Sequence, residues 1–319
     1  MRMKHVPTMA AFETFVAREL LPWLEEQEIE RRRVLGRAAR RSFPAFLLAL
    51  ICAIAAFSVG SPLLRLFAFL AAPAFAVWGI FLFFPALFWA GAFQKALLER
   101  VYNYFGFTSA RDVPHGYFAA FGRLALLPAG PRYELMAYDS GQMRGLSCEV
   151  ATARLHMQRM WHRHVSRATP RGVLLARFPF PKTFDGVTAI LPDLGGAVNA
   201  VRPRPDDGDR MVARVRLDNP DFEKVFEVFS SNQISARYLL TPAFMERLLE
   251  LRRQTDGEMR LAFARGALYV VLAGEQSYFG SVSVSADIRD AGGMYALAAD
   301  MMRLDDLVGI LKLDAQTAV

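Results

Sequence analysis

Two apolar runs, Ser42 to Leu64 and Leu66 to Gln94, contain no charged residue, and only Arg65 separates them. A hydrocarbon layer about 30 Å thick, crossed at about 1.5 Å per residue, takes about 20 residues, and each run supplies that length. Helices buried in a water-soluble core rarely stay uncharged on every side for so long, so both runs are expected to span a bilayer. A cleaved secretory signal is not expected, because a charge-rich stretch of 41 residues precedes the first run.

Val59-Gly60-Ser61-Pro62 carries turn chemistry and has room only for a tight connection, so the spans, about 43–62 and 67–93, form an antiparallel hairpin within 42–94. Arg31, Arg32, Arg33, Arg37, Arg40 and Arg41 crowd the approach to the first span, and Lys95 and Arg100 follow the second. By the positive-inside rule both termini face the cytoplasm. Ser42 and Pro44 look like a helix start, since proline is tolerated in a first turn. Pro73 and Pro85 either kink the second span or, for Pro73, mark its start. Cys52 lies inside a span and Cys148 outside, which makes a disulfide between them implausible and suits a reducing compartment.

Residues 1–41 form a basic amphipathic segment, with Phe12, Val16, Leu20, Trp23 and Leu24 at helical spacing. Pro22 predicts either two shorter helices or one kinked helix. Glu28 and Arg32, four apart, favour helix by a few tenths of a kcal/mol. Its stripe either packs on the remaining domain or serves a coiled-coil or interfacial role.

Residues 95–319 have the pattern of a cytoplasmic α+β domain with a mostly antiparallel sheet. Strands are expected over 133–138, 144–155, 172–180, 187–191, 211–217, 259–263, 268–272 and 278–284, from β-branched and aromatic content between turns. Asp185-Gly186 and Arg265-Gly266 fit hairpin turns. Helices are expected after Asn219-Pro220, with Phe222, Val225 and Phe226 inward, and after Thr241-Pro242, with Phe244, Met245, Leu248 and Leu249 inward. A last helix carries Leu297, Met301, Leu304, Val308 and Leu311 and closes over the sheet, an arrangement of which the pleckstrin-homology fold is one form. Residues 203–210, with Asp206, Asp207 and Asp209, form an exposed loop.

The run Val215-Arg216-Leu217-Asp218-Asn219-Pro220-Asp221-Phe222-Glu223-Lys224-Val225-Phe226, continued by Ser235-Ala236-Arg237-Tyr238-Leu239-Leu240-Thr241-Pro242-Ala243-Phe244-Met245, resembles the signature of bacterial domain-of-unknown-function family 3137. Arg171-Gly172-Val173 before Phe184-Asp185-Gly186 adds to the resemblance. It implies a two-span bacterial inner-membrane protein with a basic N-terminal segment and a larger cytoplasmic domain, and it brings no established activity. Ser235 and Asn232 stand where the family pattern has acids, so a role that needs acids there does not transfer.

The chain carries a formal charge of +7, and Val150 to Phe184 holds seven of its cations, Arg154, Arg159, Arg163, Arg167, Arg171, Arg177 and Lys182, with no acid. On a domain tethered to a membrane these residues form a contact surface for anionic lipid, each worth about 1 kcal/mol if it faces the bilayer, with Met160, Trp161 and Phe178 dipping beside them. The bland alternative is a solvated loop and strand face with arginine stems over apolar surface. Nucleic acid is disfavoured because no recognition motif accompanies the charge. His156, His162 and His164 invite a metal, but the arginines among them repel one, and neither metal nor cofactor is expected. Arg237, in an apolar run, is expected in a structural ion-pair network with Asp218, Asp221 and Glu223, because an unpaired buried charge is very costly.

No catalytic motif stands out: there is no Gly-x-Ser-x-Gly, Gly-x-x-x-x-Gly-Lys, Cys-x-x-Cys or His-Glu-x-x-His. The leading expectation is a membrane-anchored binding or scaffolding module for a partner protein, for anionic lipid, or for further copies of itself. A membrane-tethered enzyme or lipid-handling protein is the alternative.

Overall fold

The computed structural model describes residues 8–58, 60–109, 113–127, 132–156, 171–180, 183–195, 202–254, 257–273 and 292–310. Contacts divide it into a helical hairpin within residues 13–97 and a sheet domain that takes residues 8–12 and the described residues from 98 onward.

The first helix opens as α1, Met9–Phe15, passes through a π-helical turn, Val16–Leu20, and continues as α2, Leu21–Ser58. Proline at position 22 has no N–H for the Arg18 carbonyl, and its ring crowds that oxygen. The wider turn, in which the Leu21 N–H bonds the Val16 carbonyl, accommodates it. Of the two outcomes expected at Pro22, the structure has one helix with a bulge.

The helix start expected at Ser42 and Pro44 is not there. Pro44 lies inside α2, and the Ser42 hydroxyl donates to the Ala38 carbonyl at 2.8 Å instead of capping. One proline removes one backbone bond, and the arginines, alanines and leucines around it favour helix strongly enough to continue through it. The second arm, α3, runs from Pro62 to Tyr104 with Pro73 and Pro85 inside, so Pro73 does not start it. Pro62 does, at a position where its missing N–H costs nothing.

The arms are antiparallel neighbours. The Phe46 ring lies 2.9 Å from where a Cβ on Gly79 would stand, so a larger residue there would have to push the ring aside. Trp23 stacks on Phe93 at 5.5 Å between centroids, and Phe93 on Trp89 at 5.3 Å. Both helices are long and apolar enough to cross a membrane. Their large apolar side chains point outward, Phe57 with 84% and Leu63 with 80% exposure, where the helices of a soluble core would hide them.

The sheet domain contains β1 (Thr108–Ser109), α4 (Tyr117–Arg123), β2 (Arg132–Met143), β3 (Leu146–His156), β4 (Arg171–Pro179), β5 (Thr188–Pro192), β6 (Ala213–Val215), α5 (Pro220–Glu223), β7 (Phe226–Ser230), α6 (Gln233–Leu239), α7 (Pro242–Arg253), β8 (Glu258–Ala264), β9 (Ala267–Ala273) and α8 (Gly292–Ile310). The strands form one antiparallel sheet in the order β1-β2-β3-β4-β9-β8-β5-β7-β6. Arg265-Gly266 is the expected β8–β9 turn, with φ of 51° and 67°. Arg144-Gly145, at 47° and 85°, makes the same kind of turn between β2 and β3.

Asp185-Gly186 does not close a hairpin, because β4 pairs with β9 while β5 pairs with β7 and β8. Helix α5 stops at Glu223, and Phe226 opens a strand. Phe222, Val225 and Phe226 mimic a helical stripe, but Phe226–Ser230 is buried throughout, as a strand inside a sheet requires. The strand expected over 278–284 and Leu311 lie outside the described residues.

One sheet face packs Tyr138, Ala151, Val173, Leu175, Ala189, Phe229 and Tyr269 against Tyr117 and Phe121 of α4. On the other, the buried Tyr102 hydroxyl at the end of α3 bonds Thr152 of β3, and Arg144 reaches Asp305 of α8 at 2.9 Å. The stripe Leu297, Met301, Leu304 and Val308 is buried as expected. Each such fully buried side chain contributes about 1.5–3 kcal/mol.

Candidate functional site

Three segments far apart in sequence meet around Gly186. Its φ is +77°, and a Cβ there would sit 2.2 Å from the Ser231 hydroxyl oxygen. That oxygen instead accepts the Val187 N–H at 2.9 Å, so glycine serves both the left-handed backbone and the close approach. Asp185 accepts from Arg210 at 2.6 Å and from the Asn232 amide at 3.4 Å, while its own N–H reaches the Ser235 hydroxyl at 3.3 Å. The Arg210 guanidinium, then the Asn232 amide, hold the Asp185 carboxyl below its ordinary range. Asn232 also caps α6 by accepting the N–H groups of Ile234 and Ser235 at 3.0 and 3.1 Å. Asparagine and serine therefore do capping and bridging here with no need for acids.

Beside this knot lies a cleft of about 100 Å³ whose floor is Ala120, Leu124, Val187, Ala264 and Tyr269 and whose rim carries Arg123, Asp206 and Arg265. The Asp206 N–H donates to the Arg123 carbonyl at 2.8 Å, tying the acidic loop to α4. On the outward side of the knot, Ile234 and Tyr238, one turn apart on α6, are 82% and 58% exposed, and Met211 is exposed as well.

Arg237 falls on the outward side of α6, whose inward residues are Ala236 and Leu239, so the burial that would demand a carboxylate is missing. It donates to the carbonyl of Arg216 at 3.4 Å, and Gln233, one turn earlier, donates to that of Arg214 at 3.3 Å. These two carbonyls alternate along the outermost stretch of the sheet at β6, and α6 covers them. Asp221 pairs with Lys224 at 2.8 Å, Glu223 accepts the Leu217 N–H at 2.8 Å, and Asp218 is exposed. The structure does not bring Arg237 and these acids into one network.

Of the basic stretch, Arg154 on β3 lies in register with Glu134 and pairs with it at 3.4 Å, and Arg177 on β4 lies opposite Glu149 at 3.3 Å, its guanidinium 5.9 Å from the Tyr269 ring centre. Residues 149 and 154 differ by an odd number along β3, so these two arginines occupy opposite faces of the sheet. Phe178 is fully buried in the core, so it does not dip into a membrane surface. Arg171 opens β4; Arg159, Arg163, Arg167, Lys182, Met160, Trp161, His162 and His164 lie outside the described residues, and His156 ends β3. Among the described residues no cluster of three or more His, Cys, Asp or Glu is placed to hold a metal.

Sequence reasoning missed a buried charge cluster in which Glu227 of β7 pairs with Arg214 at 3.1 Å and with Arg202 at 3.7 Å. Burial pushes the Arg202 guanidinium pKa down, with the like charge of Arg260 next in effect. The signal was a lone acid in the apolar run Phe226–Ser230.

Residues 171–313 match the family model described as protein of unknown function (DUF3137). Over that segment the chain is similar to DUF3137. The Gly186 knot, the buried Glu227 and the edge-covering α6 all lie inside the DUF3137 segment. The crystal structure of the mycobacterial trehalose monomycolate transport factor A, TtfA, is similar over 69% of this chain and 95% of that one, at 11% identity and a TM-score of 0.36. No protein of curated function matches the chain.

Proposed function

We propose that this protein is a bacterial inner-membrane protein whose two-span hairpin anchors a cytoplasmic DUF3137 domain, and that the domain is a docking module for a partner protein. The observation that carries the reading is the outward-facing apolar band of the hairpin, from Phe43 to Phe57 on α2 and from Leu66 to Phe88 on α3, which a lipid environment suits. Arginines 31–41 and Lys95 at its open end support the cytoplasmic side for both termini.

For docking, the supporting feature is the outward face of α6, where Ile234, Arg237 and Tyr238 stand on a helix that the Asn232 cap and the Asp185–Arg210 pair hold rigid. Aromatic and arginine side chains on a rigid element are the usual anchors of protein interfaces. A photocrosslinking residue in place of Tyr238 in the full-length, membrane-inserted protein is expected to give one discrete adduct in cells, lost when Ile234 is changed to Glu. A crosslinker in place of exposed Glu250 serves as the control. No adduct at position 238, or the same pattern at both sites, overturns the docking reading.

A further inference from the structure

The two arms of the hairpin change character at different heights. Toward the turn both are apolar apart from Arg65 beside the turn itself, Phe43–Phe57 on one side and Leu66–Trp78 on the other. One contact fixes what lies level beyond that: Phe46 against Gly79. Counted away from the turn at equal rise, α2 from Phe46 back to Arg31 is level with α3 from Gly79 to Gln94, so that Arg41, Arg40 and Arg37 stand level with Phe84 to Phe88. On α2 this stretch holds Arg31, Arg32, Arg33, Arg37, Arg40 and Arg41. On α3 it holds Ile80, Phe81, Phe84, Leu87 and Phe88, all exposed, with Phe81 and Phe88 at 70% and 68%, and there is no charge before Lys95.

A charged arm and an apolar arm at one level fit neither water nor hydrocarbon. They fit the layer between, where arginine reaches phosphate while aromatic rings lie at the acyl boundary. The local carboxylates do not neutralise the arginines. Over residues 25–41 there are six arginines and four acids, and two of those acids, Glu25 and Glu26, lie at least 11 residues before Arg37. Glu28 is buried with Arg31 at 2.6 Å and Arg32 at 2.8 Å, and Glu30 is shared by Arg37 at 3.1 Å and Arg33 at 3.7 Å. Arg40 donates only to the Gly36 carbonyl at 3.2 Å, and among the described residues neither Arg40 nor Arg41 has a carboxylate partner.

We infer that this mixed collar is a binding site for anionic phospholipid headgroups, with Arg37, Arg40 and Arg41 on the phosphates and Phe81, Phe84 and Phe88 seated beside them. The inference rests on the membrane anchorage proposed above. It moves the anionic-lipid contact from the basic stretch of the sheet domain to the hairpin.

The test uses the full chain in non-ionic micelles doped with either phosphatidylglycerol or phosphatidylcholine, reading lipid affinity from the thermal shift across a titration at several salt concentrations. The wild type is expected to bind phosphatidylglycerol in preference, and more weakly as salt rises. At about fivefold per arginine, R37Q/R40Q/R41Q is expected to bind roughly 100-fold more weakly, while R154Q/R177Q keeps the wild-type affinity. Equal stabilisation by the two lipids, or full binding by the triple variant, overturns the inference. So does competition in which soluble polyglutamate binds the collar more tightly than the lipid, which would assign it to an acidic protein. Flotation of the same proteins reconstituted into vesicles of either lipid separates the two levels of failure. A chain that floats without preferring anionic lipid refutes only the collar, and one that does not float refutes the anchorage.

Discussion

Gly186→Ala tests the geometry of the three-segment knot. The change forces an L-residue to φ +77°, at about 1–2 kcal/mol. It also puts a methyl group 2.2 Å from the Ser231 oxygen. Serine has no long stem with which to yield, so the hydroxyl must swing away and give up the Val187 N–H, for about 1 kcal/mol more. The sum is about 2–3 kcal/mol, a large fraction of the stability of an ordinary domain. Ser231→Ala alone loses the same hydrogen bond and costs about 1 kcal/mol. The two losses overlap, so Ser231→Ala is expected to cost almost nothing further in the Gly186→Ala background. Urea melts of the four proteins in micelles, followed by the β-sheet signal in far-ultraviolet circular dichroism, give the cycle. A neutral Gly186→Ala would refute the backbone requirement, and strict additivity would refute the collision.

Three further expectations follow from the same structure. The Arg31 hydrogen bond is the main cause that lowers the Glu28 pKa from 4.5 to about 2, Arg32 adding to it against the opposing effect of burial. The folded value lies below the unfolded one, so this stabilisation is full above about pH 4.5 and is lost as pH falls toward about 2; Glu28→Gln should cost about 3 kcal/mol at neutral pH and flatten the helical melt across that window, and a variant with unchanged acid sensitivity would contradict it. Arg237→Ala should change stability by only about 0.5 kcal/mol, because the side chain is exposed, but should increase self-association in sedimentation by uncovering β6. A loss of several kcal/mol would instead point to a buried ion pair. Tyr102→Phe strands the buried Thr152 hydroxyl and should cost about 1–3 kcal/mol at every accessible pH, since burial pushes the Tyr102 phenol pKa far above its ordinary range.

The hairpin was legible because charge-free length is a one-dimensional property, and so were the caps, since Asn219 and Thr241 announce their helices within three residues. Helix starts were less so. Ser42 and Pro44 carry the chemistry of a first turn, yet strong helix formers on both sides carry α2 through them. The strand at Phe226 was hidden because its apolar spacing continues that of α5, and only its place between β5 and β6 makes it extended. Helix α4 had no cap of its own to announce it: its N-cap is Gly116, with no side-chain bond. Asp185-Gly186 carries the chemistry of a hairpin turn but closes no hairpin, because what it packs against, Ser231 and Arg210, is set by strand order, which local pattern does not encode. For Arg237 the error was to take apolar neighbours as a sign of burial, when Ile234 and Tyr238 are themselves exposed.

Cysteine labelling tests the membrane hairpin most directly. In a background with Cys52 and Cys148 replaced by serine, one variant carries Gly60→Cys at the turn and another Glu250→Cys on the domain. With a membrane-impermeant maleimide applied to spheroplasts, the account predicts that position 60 is labelled from outside and that position 250 is labelled only after lysis. Labelling of position 250 in intact spheroplasts, or of position 60 only after lysis, would contradict it.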